Sequence, residues 1–454
     1  MCGITGILSP SGRHVIVPMT EAIVHRGPDA CGYYRDEHIA LGNRRLSIID
    51  LATGDQPISN ERGNLQLVCN GEIYNSPELR RQLSSAGHQF KTMTDIEVIL
   101  HLYEDFGTDC VKHLRGMFAF AIWDKDERTL FLARDHMGQK PLFFFHDGDH
   151  FLFASEVKAI LASGLVPPEI DLEGVWHYVS MRFLPDRRSL FKGIQKLPAG
   201  TSLHWQDGAI RLERYWELRF TDKFRKRERE IEEELDALLQ DTVRMHLLSD
   251  VRVGAFLSGG IDSSLVSAMM AKTSDAPVPV FSIGVKEQGF DELPYARQVA
   301  ARYGMEAHER VVEADLIRMI PAMVHHMDEP ADPFGAGVYL VSGIARQGRP
   351  QGGRVRRSDS GRHQVQEQSA QILDEEGRRP LPAAGADRAQ EAGVCLPTRA
   401  MDAHRPSRVH HQSVRVLTLR RARNLRSELH EPTAGPACLR PSRPQLPPVA
   451  ADQS

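Results

Sequence analysis

The chain has 454 residues, enough for two or three domains that each bury a core. It is 41% hydrophobic and 26% charged, and 56 basic against 60 acidic residues leave a net charge of -4. This balance excludes whole-chain nucleic-acid or membrane-surface binding as the main activity. Six sparse cysteines include no Cys-x-x-Cys pair, so neither a disulfide framework nor a zinc site is signalled, and a reducing cytoplasm fits best. No basic-then-apolar leader opens the chain, and the longest apolar run, Met117 to Trp123, is far too short for a membrane span.

Taken in chain order, residues 1–210 read as short strands broken by Gly, Asn and Asp: Leu65 to Cys69, Met117 to Trp123, Thr129 to Ala133 and Leu142 to Phe145. A mostly β or layered α+β domain is expected there. The charged stretch within 211–234, FTDKFRKREREIEEE, reads as a linker that enters an amphipathic helix through Leu235, Leu238, Leu239 and Val243. Residues 235–350 alternate apolar runs with helical segments, the pattern of parallel βαβ units.

Residues 351–454 differ in kind: 17 Arg and 10 Pro, no Lys or aromatic residue, and one Ile. The charge changes from -10 over residues 1–350 (39 basic minus 49 acidic) to +6 over the tail (17 minus 11). A disordered tail, a nucleic-acid-binding extension and a reading-frame shift that replaced the true C-terminal domain are the competing readings.

Cys2 carries the first chemical argument. A small residue at position 2 permits removal of Met1, leaving a thiol and a free α-amine on one residue, hence a nucleophile beside its own general base. On its own such a cysteine is more often structural. The segments MCGITGI, HRGPDACG (25–32), RRLSIID (44–50), NGEIYN (70–75), TDIEVIL (94–100), RGMFAFAIWD (115–124) and ARDHMGQKPL (133–142) reverse that preference. In this order they resemble the N-terminal-nucleophile glutamine amidotransferases, and most closely the glutamine-hydrolysing asparagine synthetases.

The resemblance implies an αββα layered sandwich, with Cys2 attacking the glutamine carboxamide and the Asn70 side chain and Gly71 backbone forming the oxyanion hole. Without those surrounding motifs, Asn70-Gly71 would read as a hairpin turn. It further implies a glutamine pocket from Arg45, Leu46, Ser47, Ile48, Ile49, Asn70, Gly71, Glu72 and Asp95. Arg45 is suited to the α-carboxylate, and Glu72 and Asp95 to the α-ammonium. Asn43 departs from the pattern, standing where many relatives carry His.

In the second half, VGAFLSGGIDSSLVSAMMA (253–271) sets a Gly-rich turn between a strand and a helix, a natural anion cradle that lacks the Walker spacing. It resembles the SGGxDS pyrophosphate loop of ATP pyrophosphatases, whose domain is an α/β parallel sheet. That likeness implies pyrophosphate binding by Ser258, Gly259, Gly260, Ser263 and Ser264, Mg2+ at Asp262, and adenine near Leu257 and Ile283. Asp291, Glu292 and the DEPADP segment (328–333) match acidic and loop positions near the family's acceptor site, although a solvated acidic pair is the commoner use. Beyond Gln347 nothing matches the family's next Gly/Asp/Glu-rich loop, so the second domain is expected to be incomplete and its synthetase activity affected.

The implied reaction uses ATP and Mg2+ to activate the aspartate carboxylate as an acyl-adenylate, from which ammonia displaces AMP. Other carboxylate acceptors and a fragment limited to glutaminase activity are the alternatives. Expected partners are glutamine, aspartate and ATP; a homodimer is allowed, and neither nucleic acid nor membrane is expected.

Overall fold

The computed structural model describes residues 2–347 apart from 10–11, 186, 221–224, 287–290, 313–315 and 330–332. The expectations for residues 351–454 therefore lie outside the described residues. So do the missing acidic loop and part of the DEPADP segment.

The first half contains β1 (Gly3–Leu8), β2 (Ala30–Arg35), β3 (Ile39–Arg45), β4 (Ile58–Ser59), β5 (Leu65–Ile73), β6 (Gly116–Asp124), β7 (Thr129–Arg134), β8 (Phe143–His146), β9 (Phe151–Ala154), β10 (Gln195–Lys196), β11 (Thr201–Gln206) and β12 (Ala209–Arg214). They form two six-stranded sheets, in the orders β10-β8-β9-β1-β3-β2 and β12-β11-β7-β6-β5-β4. All their pairings are antiparallel. Helices α1 (Ile16–Glu21), α2 (Ser76–Ala86), α3 (Val98–Phe106), α4 (Val157–Leu161) and α5 (Leu172–Met181) accompany the strands.

Strand alternation builds the layers. In β6, Ala119, Ala121 and Trp123 join Ile4, Leu8, Ile39, Leu41 and Phe153 in the core between the sheets. Phe118, Phe120 and Ile122 face the other way, onto Leu79, Leu83, Ile99 and Leu102 of α2 and α3. Behind the first sheet, Ile7, Ala40 and Leu152 pack on Ile16, Met19 and Ile160 of α1 and α4. The result is an αββα sandwich with three apolar interfaces. The second sheet continues through β12 to Arg214, past the boundary placed at 210. The pattern ended early because the exposed edge strand AIRLER lacks the apolar run of its neighbours.

The remaining elements are α6 (Glu228–His246), β13 (Ala255–Phe256), α7 (Ile261–Thr273), β14 (Pro279–Val285), α8 (Leu293–Arg302), β15 (Glu306–Val312), α9 (Leu316–Met327) and α10 (Pro333–Gln347). Helix α6 starts inside the stretch read as linker, where the Glu230 carboxylate accepts a hydrogen bond from the Arg227 backbone N-H at 3.0 Å. Among the described residues, β13, β14 and β15 make a three-stranded parallel sheet. Helices α6, α7 and α8 supply Val243, Met269, Met270, Ala296 and Val299 to its core.

Polar contacts tie the halves together. The Asp50 N-H donates to Asp250 Oδ2 at 2.6 Å, and the Asp250 N-H donates to Ile48 O at 3.1 Å. Lys158 pairs with Asp328 at 3.0 Å and Lys196 with Glu329 at 2.5 Å. The first two residues of DEPADP thus serve the seam between the halves.

Trp123 is fully buried in the central layer, and its indole N-H donates to Asp36 Oδ2 at 2.7 Å. Trp123→Ala is expected to cost about 3–5 kcal/mol, lowering the denaturant midpoint of the sandwich; an unchanged midpoint would contradict this packing.

Candidate active site

Cys2 stands at the head of β1, a strand paired on both sides by β3 and β9. The guanidinium of Arg26 donates to Cys2 O at 2.9 Å, and the Leu46 N-H reaches Cys2 Sγ at 3.4 Å. Backbone and thiol are therefore both held. Burial pushes the thiol pKa up against the lowering effects of the Leu46 contact, the nearby chain terminus and Arg45.

The thiol opens on a pocket of about 300 Å³ lined by Arg45, Leu46, Ile48, Ile49, Asn70, Gly71, Glu72 and Asp95 together with Cys2 itself. Nine residues singled out from the sequence thus meet in one cavity. Ser47 is the exception. Its N-H donates to Asp29 Oδ2 at 2.9 Å, and it is absent from the lining. Gly54, Gln56, Thr94, Ile96, Met117 and Lys140 also line the cavity and were missed. Gly54 and Gln56 lie outside the quoted motifs, while Thr94, Ile96, Met117 and Lys140 lie within them, and nothing in the sequence marked their side chains as facing the pocket.

Asn70 is buried on β5, and its side-chain nitrogen has no hydrogen-bond partner. Such a donor costs stability until something accepts from it. At Gly71 a Cβ would lie 2.4 Å from Met117 O and 2.8 Å from Phe118 Cα, so only glycine lets β6 pass this closely. Arg45, almost wholly buried, pairs with exposed Asp55 at 2.9 Å and donates to Ile49 O at 3.2 Å and to Asp50 O. That ion pair is weakly held through its exposed partner.

Asp95 is buried and accepts from the Ile73 N-H at 2.6 Å and the Thr94 hydroxyl at 3.3 Å. Burial, then the charge of Glu72, lifts its pKa to about 6 despite those bonds. Glu72 is raised by burial as well, while Lys140 is lowered by burial although Glu72 acts to raise it. Two carboxyls and a lysine therefore face one pocket under tension, the condition in which a cationic ligand group is welcome. Asn43 donates to Gly3 O and to Gln56 Oε1, both at 3.3 Å. The departure from the family pattern thus sits behind the nucleophile's strand and outside the lining.

The second candidate site is the turn between β13 and α7. Gly259 has φ +86°, and a Cβ there would lie 2.8 Å from Glu292 O and from Tyr295 Cβ, so glycine is needed for both conformation and space. Ser258 Oγ accepts from the Gly260 N-H at 3.2 Å and lies 3.0 Å from Ser263 Oγ. Ser263 Oγ in turn accepts from the Ser258 N-H at 3.3 Å. These bonds curl the turn into a cradle over the first turn of α7, where helix N-H groups lack intrahelical partners. Asp262 is exposed in that first turn, Ser264 is buried, and buried Leu257 and half-buried Ile283 lie on the sheet beside it. At the start of α8 the Asp291 carboxylate accepts from the Leu293 N-H at 3.2 Å, and the Glu292 backbone carbonyl accepts from the Ala296 N-H at 3.2 Å.

Comparison with known proteins matches both halves of the chain. Residues 1–216 match the family model described as a glutamine amidotransferase domain, and residues 234–349 the one described as asparagine synthase. Asparagine synthetase [glutamine-hydrolyzing] 1 of Bacillus subtilis is 38% identical over 357 residues, 76% of this chain and 56% of its own length. Asparagine synthetase [glutamine-hydrolyzing] 3 of the same organism is 34% identical over 71% of this chain and 58% of its own. The protein named "Putative asparagine synthetase [glutamine-hydrolyzing] 2" of Methanocaldococcus jannaschii is 37% identical over 76% of this chain and 72% of its own. The chain thus spans a little over half the length of the two Bacillus relatives. With both domain models matched in order and this identity sustained across them, the chain belongs to the glutamine-hydrolysing asparagine synthetase family.

Proposed function

We propose that the protein hydrolyses glutamine at Cys2 and passes the ammonia to an ATP-dependent synthetase half that converts aspartate to asparagine. The observation that carries the first step is the buried, unpartnered amide nitrogen of Asn70 in the same pocket as Cys2. A donor kept free beside a nucleophile suits an oxyanion that exists only during reaction.

Once Met1 is removed, the Cys2 α-amine takes the thiol proton as sulfur attacks the carboxamide carbon. The tetrahedral oxyanion accepts from the Asn70 side chain and the Gly71 N-H. Collapse expels ammonia, which leaves with the proton from the amine, and water then hydrolyses the glutamyl thioester. Arg45 would hold the glutamine α-carboxylate in place of Asp55, and ionised Asp95 and Glu72 the α-ammonium.

In the second half, the cradle of Ser258, Gly259, Gly260, Ser263 and Ser264 would take the pyrophosphate of ATP. The adenine would lie near Leu257 and Ile283. Exposed Asp262 fits Mg2+, an ion usually held by one or two carboxylates together with phosphates and water. When bound, the ion would neutralise charge on the phosphates. Aspartate carboxylate attacks the α-phosphorus to give an aspartyl-adenylate and pyrophosphate, and ammonia displaces AMP. A second reading is glutamine hydrolysis alone, because the asparagine synthase match stops at residue 349.

Glutamate and AMP measured in one mixture of full-length protein, glutamine, aspartate and ATP separate the two. Aspartate-dependent AMP supports the synthetase reading, and glutamate without AMP supports the second. Cys2→Ala is expected to abolish glutamate release, and its persistence would sink the assignment of the nucleophile. Asn70→Ala is expected to lower kcat by about 10²–10³ with little change in KM; a change confined to KM would remove Asn70 from the oxyanion hole. If AMP forms, Gly259→Ala should stop it while glutamate release continues, because only the phosphate turn is strained.

One limb of the pH dependence follows from Asp95. Its pKa of about 6 lies above the usual carboxyl value because burial opposes the charge. The cationic α-ammonium favours the ionised form and draws the pKa down on binding. Protonation of the Cys2 α-amine lowers glutamine kcat/KM below about pH 8, and below about 6 protonation of Asp95 should add a second limb that steepens the fall by a further tenfold per unit. Asp95→Asn should raise KM and remove that second limb, whereas a second limb that survives the substitution would have another origin.

A further inference from the structure

Outside both sites, four side chains converge on the outer face of the sandwich. Glu61 follows β4, His88 follows α2, and His101 and Glu104 lie one turn apart on α3. Gly87, at φ +112°, ends α2 and lets the His88 N-H turn back to Leu83 O at 3.1 Å. The His88 and His101 rings then lie 4.8 Å apart.

Both Nδ1 atoms face the carboxylates. His88 Nδ1 is 3.7 Å from Glu61 Oε1 and 3.5 Å from Glu104 Oε2. His101 Nδ1 is 3.6 Å from Glu61 Oε2 and 2.9 Å from Glu104 Oε2. One ligand atom from each residue lies within 4.8 Å of the other three, the one such grouping among the described residues. Four ligands at roughly 2.0–2.1 Å from a tetrahedral ion stand about 3.3–3.4 Å from one another. The four imidazole–carboxylate contacts, 2.9–3.7 Å and drawn from both Glu61 oxygens, bracket that spacing, and no separation within the group exceeds 4.8 Å.

The outward atoms supply an independent argument. Ligating imidazoles usually give their other N-H to a carboxylate, which fixes the ring and its tautomer. His88 Nε2 lies 3.1 Å from Asp105 Oδ1. His101 is wholly buried, its Nε2 has no hydrogen-bond partner, and the nearest carboxylate oxygen, of fully buried Glu97, is 3.9 Å away. Metal at Nδ1 would put the proton on Nε2, facing that carboxylate. The carboxylate ligands are braced too: the Gln89 N-H donates to Glu61 Oε1 at 2.7 Å, and the Asn60 amide donates to Glu104 Oε1 at 2.8 Å.

We propose that Glu61, His88, His101 and Glu104 form a structural zinc site that clamps the turn after β4 and the loop after α2 onto α3. Two imidazoles and two carboxylates suit a four-coordinate divalent ion, whose charge the carboxylates neutralise, and four protein ligands leave no open position for catalysis. The clamp lies at the start of the stretch running from His88 to the pocket residues Thr94 and Asp95.

The test uses untagged full-length protein, stripped with chelator and titrated with zinc. One zinc per chain is expected by elemental analysis, together with a rise in the thermal midpoint on reloading. His88→Gln, at a side chain 15% exposed, should lose this stoichiometric binding. Asp105→Asn, outside the ligand set, should weaken binding about 10- to 100-fold. Cobalt in place of zinc should give the intense visible absorption of a four-coordinate ion. Zinc uptake undiminished by His88→Gln, the weak spectrum of six-coordinate cobalt, or no stoichiometric uptake by the stripped parent protein would each overturn the proposal.

Discussion

A nucleophile at the start of a chain faces a mechanical problem, because chain ends fray unless something ties them down. Here the tie is a strand hydrogen-bonded on both sides. Beyond the pairing of β1 with β3 and β9, the Ile4 N-H donates to Ser155 Oγ at 3.0 Å and Arg26 holds Cys2 O. Once β1 is fixed, β3 must end beside it, which delivers Arg45 and Leu46. The stacked second sheet brings β5, and with it Asn70 and Gly71, to the same end of the sandwich. The pocket is thus a product of sheet stacking, and its walls are as firm as the layers behind them.

The two candidate sites are built on different economies. The Cys2 pocket is set by charge: a buried and a half-buried carboxyl, a buried lysine and an unpartnered amide all favour a small zwitterion. The turn before α7 is open, satisfied by its own serine hydroxyls, and relies on backbone N-H groups that water can also reach. A charged pocket selects by charge pairing and a cradle by shape, which suits a free amino acid in the first case and a flexible polyphosphate in the second.

Strands that bury one or both faces were legible, since apolar runs such as Met117 to Trp123 leave little choice of conformation. Others were hidden. Strand β3 reads IALGNRR, with Asn43, Arg44 and Arg45 buried and partnered, and composition does not forecast a strand that inters charge. Contiguous motifs brought out Cys2 and most of the residues that share its pocket. Gln56 lies outside those motifs, and Thr94, Met117 and Lys140 lie inside them at positions whose facing only the stacked sheets decide. The histidine and glutamate cluster escaped for a related reason. Cysteine spacing was the metal signal sought, whereas these four ligands are drawn from three separate segments and only His101 and Glu104 are near neighbours in the chain.

The exchange of bonds between Asp50, Ile48 and Asp250 makes one stretch of backbone both a wall of the Cys2 pocket and a rung of the seam between the halves. Free energy stored in that stretch has no private owner. Whatever a ligand gains by tightening the wall from inside appears as added cohesion at the seam, and whatever loosens the seam is charged equally to the ligand's affinity, by the symmetry of thermodynamic linkage. The stiffness of the loop sets how large that exchange is, and its sign is the same in both directions.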